Sequence, residues 1–454
     1  MQIVCGAPNV AAGQKVVVAV NGTKLYDGDE CFTIKRSKIR GVESNGMICA
    51  EDEIGIGTDH AGIIVLPADA VVGTPAKEYY NVKSDYVLEV DITPNRVDAT
   101  SHFGVARDLA AYLKSRGENA EVKLPDVSAF APDNHDLEVA VRVENPEAAP
   151  RYAGVTVTGC KIGPSPEWMQ NCLRAAGINP KNNLVDITNF VLFELGQPLH
   201  AFDAAKIEGR EVVVRTCAEG TPFVTLDGVE RKLTDKDLMI CSAERPMCIA
   251  GVFGGLDSGV SDTTTDVFIE SAYFNPVWVR KTAKRFGLNT DSSFRFERGV
   301  DPNTCRLYLE IAANMIKEIA GGRIVGPVTD IYPQPVEPAK VELSYGAITR
   351  LLGQEIPAAT VDAILRSLEI EITGRTDADG GTLSLAVPTY RVDVTRPCDV
   401  IEDILRIYGY NNVEIPTQVR STLSYAPKPD RNKLMNLAAD FLTANGFTEI
   451  MSNS

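Results

Sequence analysis

Histidine is scarce in this chain, paired cysteines are missing, and no long apolar run occurs. There are four histidines and ten scattered cysteines in 454 residues, with no Cys-x-x-Cys pair. That pattern argues against a zinc site, and unpaired, scattered cysteines suit a reducing cytosol. No stretch approaches the ~20 consecutive apolar residues of a membrane helix, and the opening residues do not read as a secretory signal. Low-complexity segments and internal repeats are also missing. Nor is there an excess of positive charge: the net charge is −16. This argues against a protein that coats nucleic acid without specificity, while leaving room for a local basic patch.

The composition, 44% hydrophobic and 23% charged, is that of a globular protein, and the length suggests roughly three domains. Residues 1–79 read as mostly β. Gln14 to Asn21 and Cys31 to Lys35 are strand-like, with turns at Gly22 and Asp27-Gly28. Several short strands suggest a small oligonucleotide-binding type (OB-type) barrel. Met1 to Cys5 reads as the inside of a strand, so the expectation is that the barrel begins upstream. Residues 80–145 carry a helix from Phe103 to Leu113, with Val105, Leu109, Ala110 and Leu113 as its core face, and a polar linker from Lys123 to Asp136. Residues 146–330 alternate strands and helices. Residues 337–412 combine helices with strands, an arrangement compatible with a winged DNA-binding unit. Residues 428–454 hold one helix and then a strand, Phe447 to Met451. Such a pair cannot bury a core, so the expectation is that a further domain starts here.

The stretch from Thr263 to Pro302 is the most informative. Asp266 to Phe274 alternates like a strand, with Val267, Ile269, Ser271 and Tyr273 on one face and Phe268, Glu270, Ala272 and Phe274 on the other. Glu270 is thus a lone carboxyl among apolar residues. Asn275-Pro276 caps a basic helix that stops at Gly287, and a polar turn from Asn289 to Ser293 follows. An isolated buried glutamate is either a structural acceptor or a functional group. Two basic clusters, one of Lys35, Arg36, Lys38 and Arg40 and one of Arg280, Lys281, Lys284 and Arg285, read equally well as solvated faces. Further on, Asp399, Glu402 and Asp403 stand at i, i+3 and i+4 of a helix, with Asp393 just ahead. Converging carboxylates suit magnesium, whereas acidic residues in a first helical turn are also favoured by the macrodipole.

Several phrases together resemble one family. They are the segment Ile3 to Asn9, Lys38 to Met47, DITPNRVDATSHFGVARDLAAYL, PLHAFD, VFGG and LNTDSSFRFERGVDP. In that order they are similar to the β subunits of bacterial phenylalanyl-tRNA synthetases, over nearly the whole chain. The resemblance implies an α+β multidomain protein: a partial OB-type tRNA-binding barrel, a mixed α/β editing module, and a small winged-helix-like domain. Glu270 would read the hydroxyl of a mischarged tyrosine, Gly254 would line the pocket, and Thr290 and Ser292 would shape it, the second being commonly alanine. His200 would position the ester and a water. Asp393, Asp399, Glu402 and Asp403 would hold a magnesium ion shared with an α subunit, Asp403 standing in for a frequent glutamate. The implied whole is a cytoplasmic α2β2 enzyme that charges tRNA(Phe) using ATP, with the synthetic site on the α subunit and no membrane contact. No residue set here resembles an ATP site or a Ser-His-Asp nucleophile. A free-standing hydrolase of mischarged tRNA and a non-catalytic RNA- or DNA-binding protein remain as alternatives.

Overall fold

The computed structural model describes residues 1–27, 30–57, 59–82, 86–415, 417–418 and 429–453. The chain divides into two compact units, Met1–Glu89 and Val90–Ser454.

The first unit is built from short antiparallel ladders. β1 (Lys15–Val16) pairs with β8 (Val65–Leu66), and β2 (Val18–Val20) with β7 (Gly46–Ile48). β3 (Lys24–Asp27) pairs with β4 (Glu30–Thr33), and β5 (Ser37–Ile39) with β6 (Val42–Ser44). A short helix, α1 (Ala76–Tyr79), follows. Val17 and Ala19 point inward to a small core with Leu25, Ile34 and Cys49, while Val18 and Val20 face out, the period-2 alternation of a strand. The turn expected at Asp27-Gly28 reaches Gly28, outside the described residues. Met1 to Cys5 is not a strand. Single contacts hold it instead: Val4 N–H donates to Ser44 Oγ at 3.0 Å, and Gln2 C=O accepts from Asn45 N–H at 2.9 Å. Gly6 and Pro8 follow at once, and neither favours extending a ladder.

The second unit opens with α2 (His102–Ser115), N-capped by Ser101. Its core face is the expected one only at Ala110 and, half-buried, at Leu113. Val105 and Leu109 are exposed, and Gly104, Ala110 and Ala111 are buried, because neighbouring elements pack close enough to admit only small side chains. The expected linker is also anchored. Val127 and Phe130 pack on a hydrophobic core, and the Asp133 carboxylate accepts from Lys317 Nζ at 2.6 Å and Ile324 N–H at 2.9 Å.

Then follow β9 (Ala140–Val143), β10 (Arg151–Thr158), α3 (Glu167–Ala175), α4 (Asn183–Leu195), β11 (Leu199–Asp203), β12 (Glu211–Thr216), and a hairpin of β13 (Pro222–Val224) and β14 (Glu230–Lys232). Next are β15 (Leu238–Cys241), β16 (Pro246–Ile249), β17 (Phe253–Gly254), β18 (Val267–Tyr273), α5 (Pro276–Phe286), α6 (Asp291–Phe296), α7 (Cys305–Ala320) and β19 (Arg323–Ile331). An antiparallel sheet has the order β11-β18-β10-β19, and a second sheet the order β17-β16-β15-β12-β9.

The alternation of β10 and β18 sorts their side chains between two cores. Ala153, Val155, Val157, Val267 and Ile269 meet α4 and α7 through Leu184, Ile187, Leu309 and Ile316. Tyr152, Phe202, Phe268, Ala272 and Phe274 meet the second sheet through Val213, Met239, Met247 and Ile249. Glu270 shares the parity of Phe268 and Ala272, so it lies in the layer between the sheets.

The remaining elements are β20 (Ala339–Ser344), α8 (Tyr345–Leu352), α9 (Ala358–Ser367), β21 (Glu371–Thr376), β22 (Thr382–Val387) and α10 (Pro397–Tyr408). A three-stranded sheet, β20-β22-β21, and the three helices share a core with Ala111 of α2. The last element is α11 (Arg431–Ala444), exposed along its length. Residue 428, where a further piece was expected to start, lies outside the described residues. No strand forms at Phe447 to Met451, since no neighbouring strand among the described residues is there to pair with it.

Candidate functional site

Strand register brings the central pair together. His200 on β11 lies directly opposite Glu270 on β18, so both side chains leave the same face. Gly254 on β17 approaches from the second sheet. A Cβ there would stand 3.3 Å from His200 Cε1 and 3.8 Å from Nε2. A side chain at 254 would therefore crowd the imidazole and cover its edge.

Thr290 acts through the loop that carries Gly254. Its hydroxyl donates to Val252 C=O at 2.9 Å, and it caps α6 by accepting from Ser293 N–H at 3.1 Å, while Ser293 Oγ accepts from Thr290 N–H at 2.9 Å. The expected polar turn is thus the start of a helix, set by a reciprocal capping box that extended into the hydroxyl run. Ser292 sits half-buried in its first turn and makes no hydrogen bond to His200, Glu270 or Gly254.

The pair is uncharged at neutral pH. Glu270 is 5% exposed and accepts a 2.7 Å hydrogen bond from the Tyr152 phenol through Oε2. Burial pushes its carboxyl up to about 8, and the Tyr152 bond only partly opposes this. His200 keeps some exposed surface as a residue, but its Nε2 is enclosed and without a hydrogen-bond partner. Its ring lies edge-on to Phe202 at 4.4 Å. Burial draws the imidazole down to about 4. A neutral histidine of this kind is a weak base and a ready hydrogen-bond partner. Next to it, a protonated carboxyl offers a hydroxyl donor and acceptors in an otherwise apolar layer. This arrangement can recognise a hydroxyl on an apolar ring and can orient a water.

The acidic quartet lines one cavity, but Asp393, Asp399 and Asp403 share it with Arg391, Arg396 and Arg406. Asp403 is buried and ion-paired with Arg391 at 2.6 Å and Arg406 at 3.2 Å. Asp393 takes Arg391 at 3.1 Å and Asn95 at 3.0 Å. Asp399 accepts from the backbone N–H groups of Thr395 and Arg396 and pairs with the Arg396 guanidinium at 2.8 Å. Glu402 points to solvent. Among the described residues, no group of three histidine, cysteine, aspartate or glutamate side chains is placed to hold a metal ion. The physical reason is the company of Arg391, Arg396 and Arg406, which take up the carboxylate oxygens that a magnesium ion would need. As arranged here, these residues do not fit the ion.

Three families match separate stretches of the chain: a putative tRNA binding domain over residues 1–75, a B3/4 domain over 148–321, and a tRNA synthetase B5 domain over 341–410. The phenylalanine–tRNA ligase β subunit of Bacteroides thetaiotaomicron is 65% identical over 455 residues, covering 100% of this chain and 55% of that protein. The chain belongs to the phenylalanine–tRNA ligase β-subunit family. The same subunit of Bacteroides fragilis is 66% identical over 454 residues, and that of Geobacter sulfurreducens 41% over 456, each with 100% of this chain and 55% of the relative covered. The chain thus spans about half the length of the curated relatives it matches. A solved N-terminal fragment of the phenylalanyl-tRNA synthetase β subunit from Pyrococcus horikoshii is 18% identical, with a TM-score of 0.34, covering 70% of this chain and 85% of that one.

Within this ligase-family chain, Tyr152 went unnoticed in the sequence. Its meeting with Glu270 depends on the pairing of β10 with β18, which no local pattern reveals. The basic helix α5 spends Arg285 on buried Asp237, and no helix among the described residues is long and apolar enough to cross a membrane.

Proposed function

We propose that this chain carries the editing site of a phenylalanine–tRNA ligase and hydrolyses tyrosyl-tRNA(Phe). The reading rests on one observation: a buried, uncharged Glu270–His200 pair facing Gly254 in an apolar layer. An apolar synthetic pocket rejects an isostere bearing one extra hydroxyl only modestly. A second pocket built around Glu270 accepts that hydroxyl, and phenylalanine leaves the carboxyl unmet. Hydrolysis joins a water oxygen to the ester carbonyl carbon, breaks the bond to the ribose oxygen, and returns a proton to that oxygen. His200 orients the water or the ester by hydrogen bonding, and the tRNA's own hydroxyl assists.

The wider assignment belongs to the same proposal. The chain works with an α subunit in an α2β2 cytoplasmic enzyme that binds tRNA(Phe) and charges it using ATP at the α subunit. The OB-type barrel of residues 1–79, the editing module of 146–330 and the winged-helix-like unit of 337–412 are its modules. Magnesium is part of that whole, but with Asp393, Asp399 and Asp403 paired to arginines these residues do not supply its site as arranged. The test is deacylation of tyrosyl-tRNA(Phe) by the intact protein. Glu270→Ala and His200→Ala should each slow it about ten- to a hundredfold, the cost of a lost buried polar contact. Unchanged rates in both variants would refute the reading.

A further inference from the structure

We propose that Tyr152 is a positioning residue that makes Glu270 a single-oxygen reader of a phenolic hydroxyl. The inference rests on the reading of Glu270 given above. Tyr152 is fully buried, and its phenol donates to Glu270 Oε2 at 2.7 Å. Oε1 has no hydrogen-bond partner among the described residues and is not one of the enclosed unpartnered atoms. The carboxyl therefore has one tethered oxygen and one open oxygen.

The backbone explains why the tether is fixed. Gly154 stands opposite Glu270, and Tyr152 stands opposite Ala272, one pair further along the same face. Gly154 leaves room for the Phe268 ring, whose Cζ would lie 2.2 Å from any Cβ at 154. Phe268 thus fills the space beside Glu270 that a side chain would take. On its other side, Tyr152 leans on Phe274 with ring centroids 6.5 Å apart, and Phe274 leans on Phe296 at 5.1 Å. The phenol is held in a row of rings and cannot swing away without opening the core.

A tethered carboxyl presents one oxygen in one direction. A substrate phenol meets it with a single hydrogen bond, and a phenyl ring leaves it bare. The same tether sets when the carboxyl ionises. The groups facing Glu270 are Tyr152 from β10, the Cys248 thiol from β16 and His200 from β11. Burial and the Glu270 carboxyl hold the thiol protonated, and the imidazole is uncharged. The Tyr152 phenol is therefore the group that favours the carboxylate.

The experiment measures hydrolysis of tyrosyl- and phenylalanyl-tRNA(Phe) by the intact protein, with any subunit that accompanies it, between pH 6 and 8.5. Tyr152→Phe should lower kcat/KM for the tyrosyl ester about two- to tenfold, the value of a neutral hydrogen bond, and leave the phenylalanyl ester unchanged. It should also move the pH at which tyrosyl preference rises to higher pH, and this shift should vanish in a Glu270→Gln background. Tyr152→3-fluorotyrosine keeps the ring and makes the phenol a stronger donor, so it should move that transition to lower pH even if the phenylalanine variant folds poorly. Wild-type preference and an unmoved pH profile in both Tyr152 variants, with preference lost in Glu270→Gln, would overturn the role of Tyr152 alone. No difference between wild type and Glu270→Gln would instead overturn the reading of Glu270.

Discussion

Glu270 and Asp403 are both carboxyl groups buried to within a few per cent of complete enclosure, 5% and 3% exposed, and they have opposite surroundings. Glu270 meets a phenol, a thiol and a neutral imidazole. Asp403 meets two guanidinium groups, and Arg391 in turn reaches Asp393 and Asp98. Burial disfavours the Arg391 cation, but these carboxylates outweigh it and hold it charged. A buried carboxylate among cations has its oxygens committed and serves to hold chain segments together. A buried carboxyl without a cation keeps its proton and an open oxygen, and is available to a ligand. Sequence spacing pointed to both regions as sites; the partners separate them.

The comparison breaks most forcefully at Arg391. Arg391→Leu leaves buried Asp403 with only Arg406 beside it and half-buried Asp393 with only Asn95, and breaking a buried pair from one side costs about 3–5 kcal/mol. Denaturant melts should show the unit of residues 339–408 unfolding first. Glu270→Ala leaves no unpaired charge, only the buried Tyr152 phenol without its acceptor, at about 1–3 kcal/mol, so its larger effect should be on tyrosyl-ester hydrolysis. A loss of stability at Glu270 equal to that at Arg391 would erase the distinction.

Next comes the pH dependence of stability. In the unfolded chain Glu270 ionises near its ordinary 4.5, and in the folded chain near 8. Its contribution is fully present below 4.5 and is lost as pH rises toward 8. His200 has the reverse sign: its contribution is present above 6.5 and is lost as pH falls toward 4. The two slopes oppose each other between these ordinary values, and only Glu270 acts from 6.5 to 8. At about 1.4 kcal/mol per unit, wild type should lose about 2 kcal/mol across that interval, and Glu270→Gln should not. Thermal melts at the two ends would check this, and parallel losses in both proteins would count against a protonated Glu270.

How far each region was legible follows from the same physics. The strand at Asp266 to Phe274 and the basic helix after it were written in local signals: alternation, an Asn-Pro cap and a glycine stop. Glu270 was visible because a lone carboxyl interrupts an apolar alternation. Tyr152, the position of His200 opposite Glu270, and the anchoring of Val127 and Phe130 were not visible, since each depends on which distant strands pair. The acidic quartet shows the opposite case. The i, i+3, i+4 spacing was read correctly as helical, yet it could not show that Asp403 turns inward with Ile401 and Ile404 while Glu402 turns out. Nor did it show that arginines two to three residues away compete for the same oxygens.

The smallest effect sharpens the comparison further. Asp399 reaches back to the N–H groups of Thr395 and Arg396 at 3.2 and 2.9 Å, the carboxylate half of a capping box at the start of α10. If that is its work, Asp399→Ala should cost about 1 kcal/mol, in the range of a lost helix cap. Asp399→Asn, which still accepts these bonds, should cost less. Added magnesium should leave the melting of wild type and both variants alike, because Asp393, Asp399 and Asp403 are already ion-paired with arginines. A magnesium-dependent stabilisation of wild type that disappears in Asp399→Ala would show that a cation can displace Arg396 and Arg391. The acidic face would then be an exchangeable site, and the contrast with Glu270 would be one of occupancy by arginine and not one of kind.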